Sequence, residues 1–268
     1  MKLMKTQRID LMLSIAGSDN TCGAGIQADI KTCQTLNSYC LNAITAVTSQ
    51  NSKKVYKVVE VSNDMIESQI KTVLDEYELD SIKIGLVKSI KQAKVILKML
   101  KNIKPSIPIV VDPIFKSSTD TVFNKKKDYV KIYEILSKLK PIFTPNLFEL
   151  KILLNLKSNN ILKLEEMIKI FNKRFQSLIV LTNAGSKKIS CEDFFLDEKK
   201  EVKKISSKKI ISKNTHGTGC SFSTALAVYL GKGLSIEKSI GLSKKLINRY
   251  ISRAPNFKLN YGPMGHWL

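Results

Sequence analysis

The chain has 268 residues, 43% of them apolar, and a formal net charge of +21. That is enough for one substantial core, and no apolar run approaches the roughly 18 residues of a membrane span, so a soluble, cytoplasmic protein without a membrane partner is expected. Arginine stands only at Arg8, Arg174, Arg249 and Arg253, and the remaining positive charge is lysine without aromatic interleaving. This pattern fits a solvated surface, leaves no specific nucleic-acid partner, and allows at most weak, noncatalytic polyanion binding.

Met1–Asp10 is basic but lacks the apolar segment of a secretory signal. Ile9–Gly17 reads as a first strand, followed by a polar glycine-containing turn and a helix from about Ala24. Leu41–Thr48 is a second strand, and Val55–Val61 a short one at an edge or in a flap. Ser62 can cap a helix that runs toward Leu79. Ser81–Leu86 gives another strand, Ser89 a cap for the helix to about Leu100, and Ile109–Val111 a buried strand that exposes Asp112 at its carboxyl end, where open parallel sheets place ligands. Helices are expected over Tyr129–Leu139, from Phe148, and over Leu164–Phe175, with strands at Pro141–Phe143 and Leu178–Leu181. A late hairpin, Cys191–Phe195 with Ile205–Ile211, leads to a glycine-rich loop and two helices, Ser221–Leu230 and Ile236–Ile251. Tyr261–Leu268 forms a tail. The persistent alternation predicts one α/β domain spanning 1–268: three layers, α/β/α, with a mostly parallel sheet and a small edge-strand flap.

Asn214–Cys220 carries the strongest chemical signal. Gly217 and Gly219 permit tight turns that aim the Gly217, Thr218, Gly219 and Cys220 amides into one cavity, and the following helix adds its positive end, a cradle for a transferring phosphoryl group. A structural strand-to-helix turn would use the same glycines. The helix start favours a Cys220 thiolate able to take a proton from a substrate hydroxyl, against the competing reading of an inert buried thiol. His216 can contact phosphate or support the turn. Asp112 and Glu149 offer hard oxygen ligands for magnesium, and Asn146 can organise water or the Glu149 helix. Asp29 and Gln50 could together hydrogen-bond a heteroaromatic ring. Cysteines at 22, 33, 40 and 191 show neither metal-ligand pairing nor a disulfide framework, and His216 and His266 are too few for a multi-histidine zinc site.

The ordered set Ile15-Ala16-Gly17-Ser18-Asp19, Gly23–Asp29, Lys83-Ile84-Gly85, Val111-Asp112-Pro113, Thr144-Pro145-Asn146 with Glu149, and Asn214–Cys220 resembles the bacterial hydroxymethylpyrimidine/phosphomethylpyrimidine kinases of thiamine biosynthesis, over Ile9 to at least Ala227. The resemblance implies a ribokinase-like fold that uses ATP and magnesium. The reaction it implies phosphorylates 4-amino-5-hydroxymethyl-2-methylpyrimidine and then its monophosphate. It assigns Gly17, Ala24, Asp29 and Gln50 to the pyrimidine, and Asp112, Asn146, Thr182, Thr215, Gly217 and Gly219 to the nucleotide. Asp112 and Glu149 go to the metal, and Cys220 takes the base role. Pyridoxine or pyridoxal kinase is the nearest alternative, and related kinases often form homodimers. Three positions depart from the family pattern: Cys22 stands where glycine is common, Leu86 where methionine is common, and Leu181-Thr182-Asn183 where a phosphate-binding Lys-Gly-Gly is frequent. Lys116 or Lys213 is the expected substitute for the missing cation.

Overall fold

The computed structural model describes residues 8–156, 162–186, 190–197, 199–259 and 261–267, so residues 1–7 of the basic first segment and Leu268 of the tail lie outside it. Strand periodicity divides the side chains between two buried clusters. In β1 (Asp10–Asp19), Leu13 and Ile15 join one and Met12 the other, and β5 (Ile109–Val111) sends Ile109 and Val111 to the first and Val110 to the second. Helices α2 (Asn63–Glu76), α3 (Ile90–Leu100), α4 (Lys126–Leu136), α5 (Leu147–Leu153) and α6 (Leu164–Phe175) cover the first face. Helices α1 (Gly25–Thr35), α7 (Thr218–Gly231) and α8 (Ile236–Ser252) cover the second. This is the expected three-layer arrangement.

The sheet between them adds β2 (Ser38–Gln50), β3 (Val55–Glu60), β4 (Ser81–Ile84), β6 (Ile142–Phe143), β7 (Leu178–Ser186), β8 (Ser190–Leu196) and β9 (Val202–Lys208). Its order is β3-β2-β1-β4-β5-β6-β7-β8-β9. The pairs from β2 through β7 are parallel, and β3, β8 and β9 are antiparallel additions at the two edges. The chain leaves β1 for β2 on one side and returns to β4 on the other, so a topological switch point lies between β1 and β4.

Ser62 and Ser89 cap α2 and α3 as expected, accepting hydrogen bonds from the Met65 and Gln92 amides. Among the boundaries that differ from the sequence reading, three have a clear local cause. β7 continues past Leu181 because β8 pairs with it on both sides of a bulge between Leu181 and Gly185. β9 starts at Val202, where it pairs with Leu196. Helix α7 begins at Thr218, because Gly217 takes the left-handed conformation (φ +85°) and turns the chain into the helix. Thr218, Gly219 and Cys220 are therefore its first turn. The described part of α7 from Cys220 to Val228 is buried throughout, packed between α1, α8 and the sheet.

A polar knot sits inside this second layer. Lys83 interrupts the apolar run of β4 and, fully buried, places its Nζ 2.8 and 3.0 Å from the two oxygens of the equally buried Asp29 on α1. Asp29 also accepts from Ser14 of β1 (2.6 Å) and Thr224 of α7 (2.7 Å), so the carboxylate ties two strands and two helices together. Removing one member strands a buried charge at a cost of about 3–5 kcal/mol. Lys83→Met is thus expected to lower unfolding stability by about that amount in urea titration, with the Lys83→Met/Asp29→Leu double variant losing clearly less than the sum of the two single losses.

Candidate active site

The carboxyl ends of six neighbouring strands open onto one cleft beside the switch point. Its wall carries Gly17, Ser18 and Asp19 from β1, Thr48 and Gln50 from β2, Leu86 beyond β4, Asp112 beyond β5, Thr144 and Asn146 beyond β6, and Thr182 from β7. Ala24 and Gly25 bring the start of α1 to the same space, and Gly217 through Cys220 bring the start of α7. Two helix N-termini therefore face one cavity, the arrangement that favours an anion.

The first and last crossover loops lock together here. A Cβ on Gly217 would lie 1.9 Å from the Gly23 carbonyl oxygen, and one on Gly25 (φ +58°) 2.3 Å from that of Gly17. Beside this contact, His216 Nε2 lies 2.8 Å from Asp19 Oδ2, and its Nδ1 3.1 Å from Ser118 Oγ. In the neutral ring that donates to Asp19 through Nε2, Nδ1 accepts from the serine. Asp19 also accepts from Thr21 and from the Ala24 amide. Burial opposes its ionisation, but hydrogen bonds from His216, Gln50 and the Thr21 backbone outweigh burial and hold the carboxyl well below the usual range. Cys22, at the tip of this loop, is exposed and takes the left-handed backbone (φ +58°) that favours the glycine expected there.

Cys220 lines the cleft as expected, but its resting state is not the anticipated thiolate. Burial pushes the thiol up to about 12, with Asp112 and Asp29 adding to the shift and the Lys83 charge and a Gly25 backbone hydrogen bond opposing it. The helix start is present, but removal of the sulfur from water outweighs it. Asp29 does not line the cleft. The polar knot holds it beneath the wall, and Lys83 reaches the cavity in its stead. The sequence signal for Lys83 was a lone charge within Ser81-Ile82-Lys83-Ile84, a strand otherwise fit for burial.

Asp112 and Glu149 meet at the same cleft. Asp112 is raised to about 6, chiefly by burial, while Glu149 is raised to about 8 by burial and then by the Asp112 charge. Asn146 and Glu149 form a reciprocal cap on α5, with the Glu149 amide donating to Asn146 Oδ1 (2.9 Å) and the Asn146 amide to Glu149 Oε2 (3.0 Å). Among the described residues no three His, Cys, Asp or Glu side chains gather to hold a metal. Two crowded, buried carboxylates beside a polyanion cradle instead fit magnesium, which takes one or two carboxylates and completes its shell with phosphate and water oxygens.

A second chamber adjoins the first across Thr144, Thr182, Thr218 and Gly219, and Thr215 lines this one alone. Sequence reasoning missed its basic wall: Lys208 at the end of β9, Lys209 beyond it, and Lys244 of α8, whose Nζ lies 2.6 Å from Asp193 Oδ2. Lys116, one of the two expected substitutes for the absent lysine, lines the first chamber, with its ammonium 4.8 Å from the Phe148 ring centroid. Lys213 lines neither. Leu86 packs on Gly17 in the wall where methionine was expected.

Among the described residues no helix is long and apolar enough to cross a membrane. The phosphomethylpyrimidine kinase family model matches residues 19–265. Over 259 residues the chain is 28% identical to the hydroxymethylpyrimidine/phosphomethylpyrimidine kinase of Haemophilus influenzae, covering 96% of each. It is 30% identical over 262 residues to the thiamine biosynthetic bifunctional enzyme TH1, chloroplastic, of Arabidopsis thaliana, covering 97% of this chain and 50% of that one, so it spans about half the length of this plant relative. The Bacillus subtilis pyridoxal kinase in its ADP complex superimposes with a TM-score of 0.82 at 28% identity, over 97% of this chain and 98% of that one. A family match from Asp19 to Gly265, carried on a cleft built of the matching segments, leads to one conclusion: the chain belongs to the phosphomethylpyrimidine kinase family of ribokinase-like kinases.

Proposed function

We propose that the protein transfers the γ-phosphoryl group of ATP to 4-amino-5-hydroxymethyl-2-methylpyrimidine, and then to the resulting monophosphate, giving the diphosphate used for thiamine. The observation that carries this reading is the family match combined with one cleft in which the Gly217–Cys220 turn, Asp112 and Gln50 share a wall. The second chamber, with Thr182, Thr215, Lys208 and Lys244, suits the nucleotide, and Thr218 and Gly219 on the border suit the phosphate in transit. The first chamber suits the acceptor, where the Gln50 amide and the hydroxyls of Ser18 and Thr48 offer hydrogen bonds to a polar ring and Leu86 an apolar face.

In this reading the amides of the first turn of α7 stabilise negative charge on the migrating group, fixed before reaction by the interlocked loops. Magnesium, when bound by Asp112 and Glu149 together with phosphate oxygens, would neutralise charge on the polyphosphate. Cys220 orients the acceptor hydroxyl and, in the fraction of molecules whose thiol has given its proton to solvent, takes the hydroxyl proton as that oxygen attacks phosphorus. A thiol raised to about 12 ionises reluctantly, yet the thiolate it yields is a strong base, and Lys83 in the cleft wall favours that ionised state. In the second reaction the acceptor is already an ionised phosphate oxygen and needs less of the thiol. Pyridoxal is the second acceptor to weigh, because the chain superimposes closely on a pyridoxal kinase and a hydroxymethyl pyridine offers the same reacting group.

The deciding experiment incubates the purified protein with Mg-ATP and either the pyrimidine alcohol or pyridoxal, and quantifies monophosphate and diphosphate separately. The pyrimidine mono- and diphosphate are expected in that order with a higher kcat/KM than pyridoxal phosphate, and a pyridoxal preference overturns the assignment. General-base assistance is worth about 10²–10⁴-fold. Cys220→Ala should therefore reduce kcat on the alcohol by a factor in about that range and on the monophosphate by less. With the wild type, alcohol turnover should rise with pH through the neutral range, because the ionised fraction of a group titrating near 12 is still growing there. Equal, full activity of Cys220→Ala on both acceptors removes the thiol from the chemistry.

A further inference from the structure

The phosphoryl loop is gripped from outside by a segment that lines neither chamber. Beyond α8 the chain returns across the second helical layer, and Tyr261–Trp267 runs alongside the approach to the loop. The Gly262 amide donates to the Lys213 carbonyl (3.2 Å), and the His216 amide donates back to the Gly262 carbonyl (3.1 Å), giving a parallel bridge between His216 and Pro263. Three residues on, Gly265 donates its amide to the Tyr250 carbonyl (2.9 Å), anchoring the segment to α8. Thr35 at the end of α1 donates to the His266 carbonyl (3.0 Å). Met264 between these anchors is fully buried.

His266 completes the grip from the other side of the loop. Its ring is buried against Tyr250, with centroids 4.7 Å apart, and its Nε2 lies 2.8 Å from the hydroxyl of the fully buried Ser221. Ser221 follows Cys220 directly in the first turn of α7, and its own amide donates to the Gly217 carbonyl (2.9 Å). The segment therefore holds both ends of Lys213–Ser221: the backbone before Gly217 through Gly262, and the helical turn that carries Cys220 through His266. A hydrogen bond of this kind adds little to global stability, about 1 kcal/mol. Its larger effect is on geometry, since amides that act on a transition state must be held to within a fraction of an ångström.

We propose that Tyr261–Trp267 is a clasp for the phosphoryl loop and that His266 is a positioning residue acting through Ser221 on the Gly219 and Cys220 amides. The clasp touches neither chamber through His266, so its loss acts on the transferred group rather than on substrate binding. The role rests on the kinase reading for its catalytic consequence, but its structural content stands apart from it.

The test uses the full chain and the variants His266→Ala, His266→Gln, Ser221→Ala and the His266→Ala/Ser221→Ala pair. With whichever acceptor the wild type phosphorylates, His266→Ala should lower kcat about tenfold with KM for ATP and acceptor unchanged, the signature of a contact felt only in the transition state. His266→Gln, which keeps a hydrogen-bonding group, should recover most of that loss. The double variant should be no slower than the slower single one. Hydrogen exchange followed by NMR should show the Ser221 amide, which is bonded to the Gly217 carbonyl, opening faster in His266→Ala than in the wild type, with the melting temperature lowered by only about 2–4 °C. Unchanged kcat, a rise in KM alone, additive losses in the double variant, or a kcat loss that follows the melting temperature each overturn the proposal. A wild type inactive on both acceptors overturns the kinase reading instead, and the amide exchange then decides the clasp by itself.

Discussion

The contact between the Gly23 carbonyl and the backbone of Gly217 is the constraint from which the site follows. Two loops almost two hundred residues apart in the chain approach so closely that no side chain fits between them, and each feeds directly into a helix whose amino end faces the cleft. The Asp19–His216 hydrogen bond holds the same two loops from the side. Because α1 and α7 pack on each other and on β1, displacing either loop means displacing a buried helix. The amides of the α7 first turn are thus fixed by tertiary packing before any ligand arrives, the condition under which backbone dipoles stabilise developing charge at little reorganisation cost.

Beneath that turn, the electrostatics are governed by how few buried charges have a partner. Lys83 is paired with Asp29, and the pair is shared among β1, β4, α1 and α7. Asp112, Glu149 and Cys220 all lie nearby and all are raised first by burial. The cleft therefore holds three groups that resist carrying negative charge, and one buried cation that favours it. In the proposed reading, a polyphosphate that reaches the border of the two chambers with its own cation changes that balance, and the uncharged acceptor beside it does not.

Much of the frame was legible in the sequence because it depends on local periodicity. Val110 and Ile109 face opposite layers by strand alternation alone, Ser62 and Ser89 announce their helices, and the motif at Asn214–Cys220 announces a turn into a helix. What was misread depends on long-range burial. Asp29 looked like a ligand for a ring because nothing in its neighbourhood reveals Lys83, 54 residues away, as its partner. Cys220 looked ionisable because the helix dipole is visible in sequence and desolvation is not. The basic wall formed by Lys208, Lys209 and Lys244 was hidden among many surface lysines, and becomes distinct only when β9 and α8 fold against the same chamber. The clasp at Tyr261–Trp267 was hidden likewise, since its bonds run to the backbone of Lys213 and His216 and to a single serine hydroxyl.

The claim on which the account turns is that the first turn of α7 receives the phosphoryl group in transit. It is tested most directly by backbone NMR of the labelled protein as Mg-ADP, aluminium fluoride and the pyrimidine alcohol are added together to mimic that group in flight. The account predicts large, saturable shifts of the Gly217, Thr218, Gly219 and Cys220 amide resonances that appear only with all components present. Shifts in residues around the second chamber, with those four amides unmoved, would contradict it.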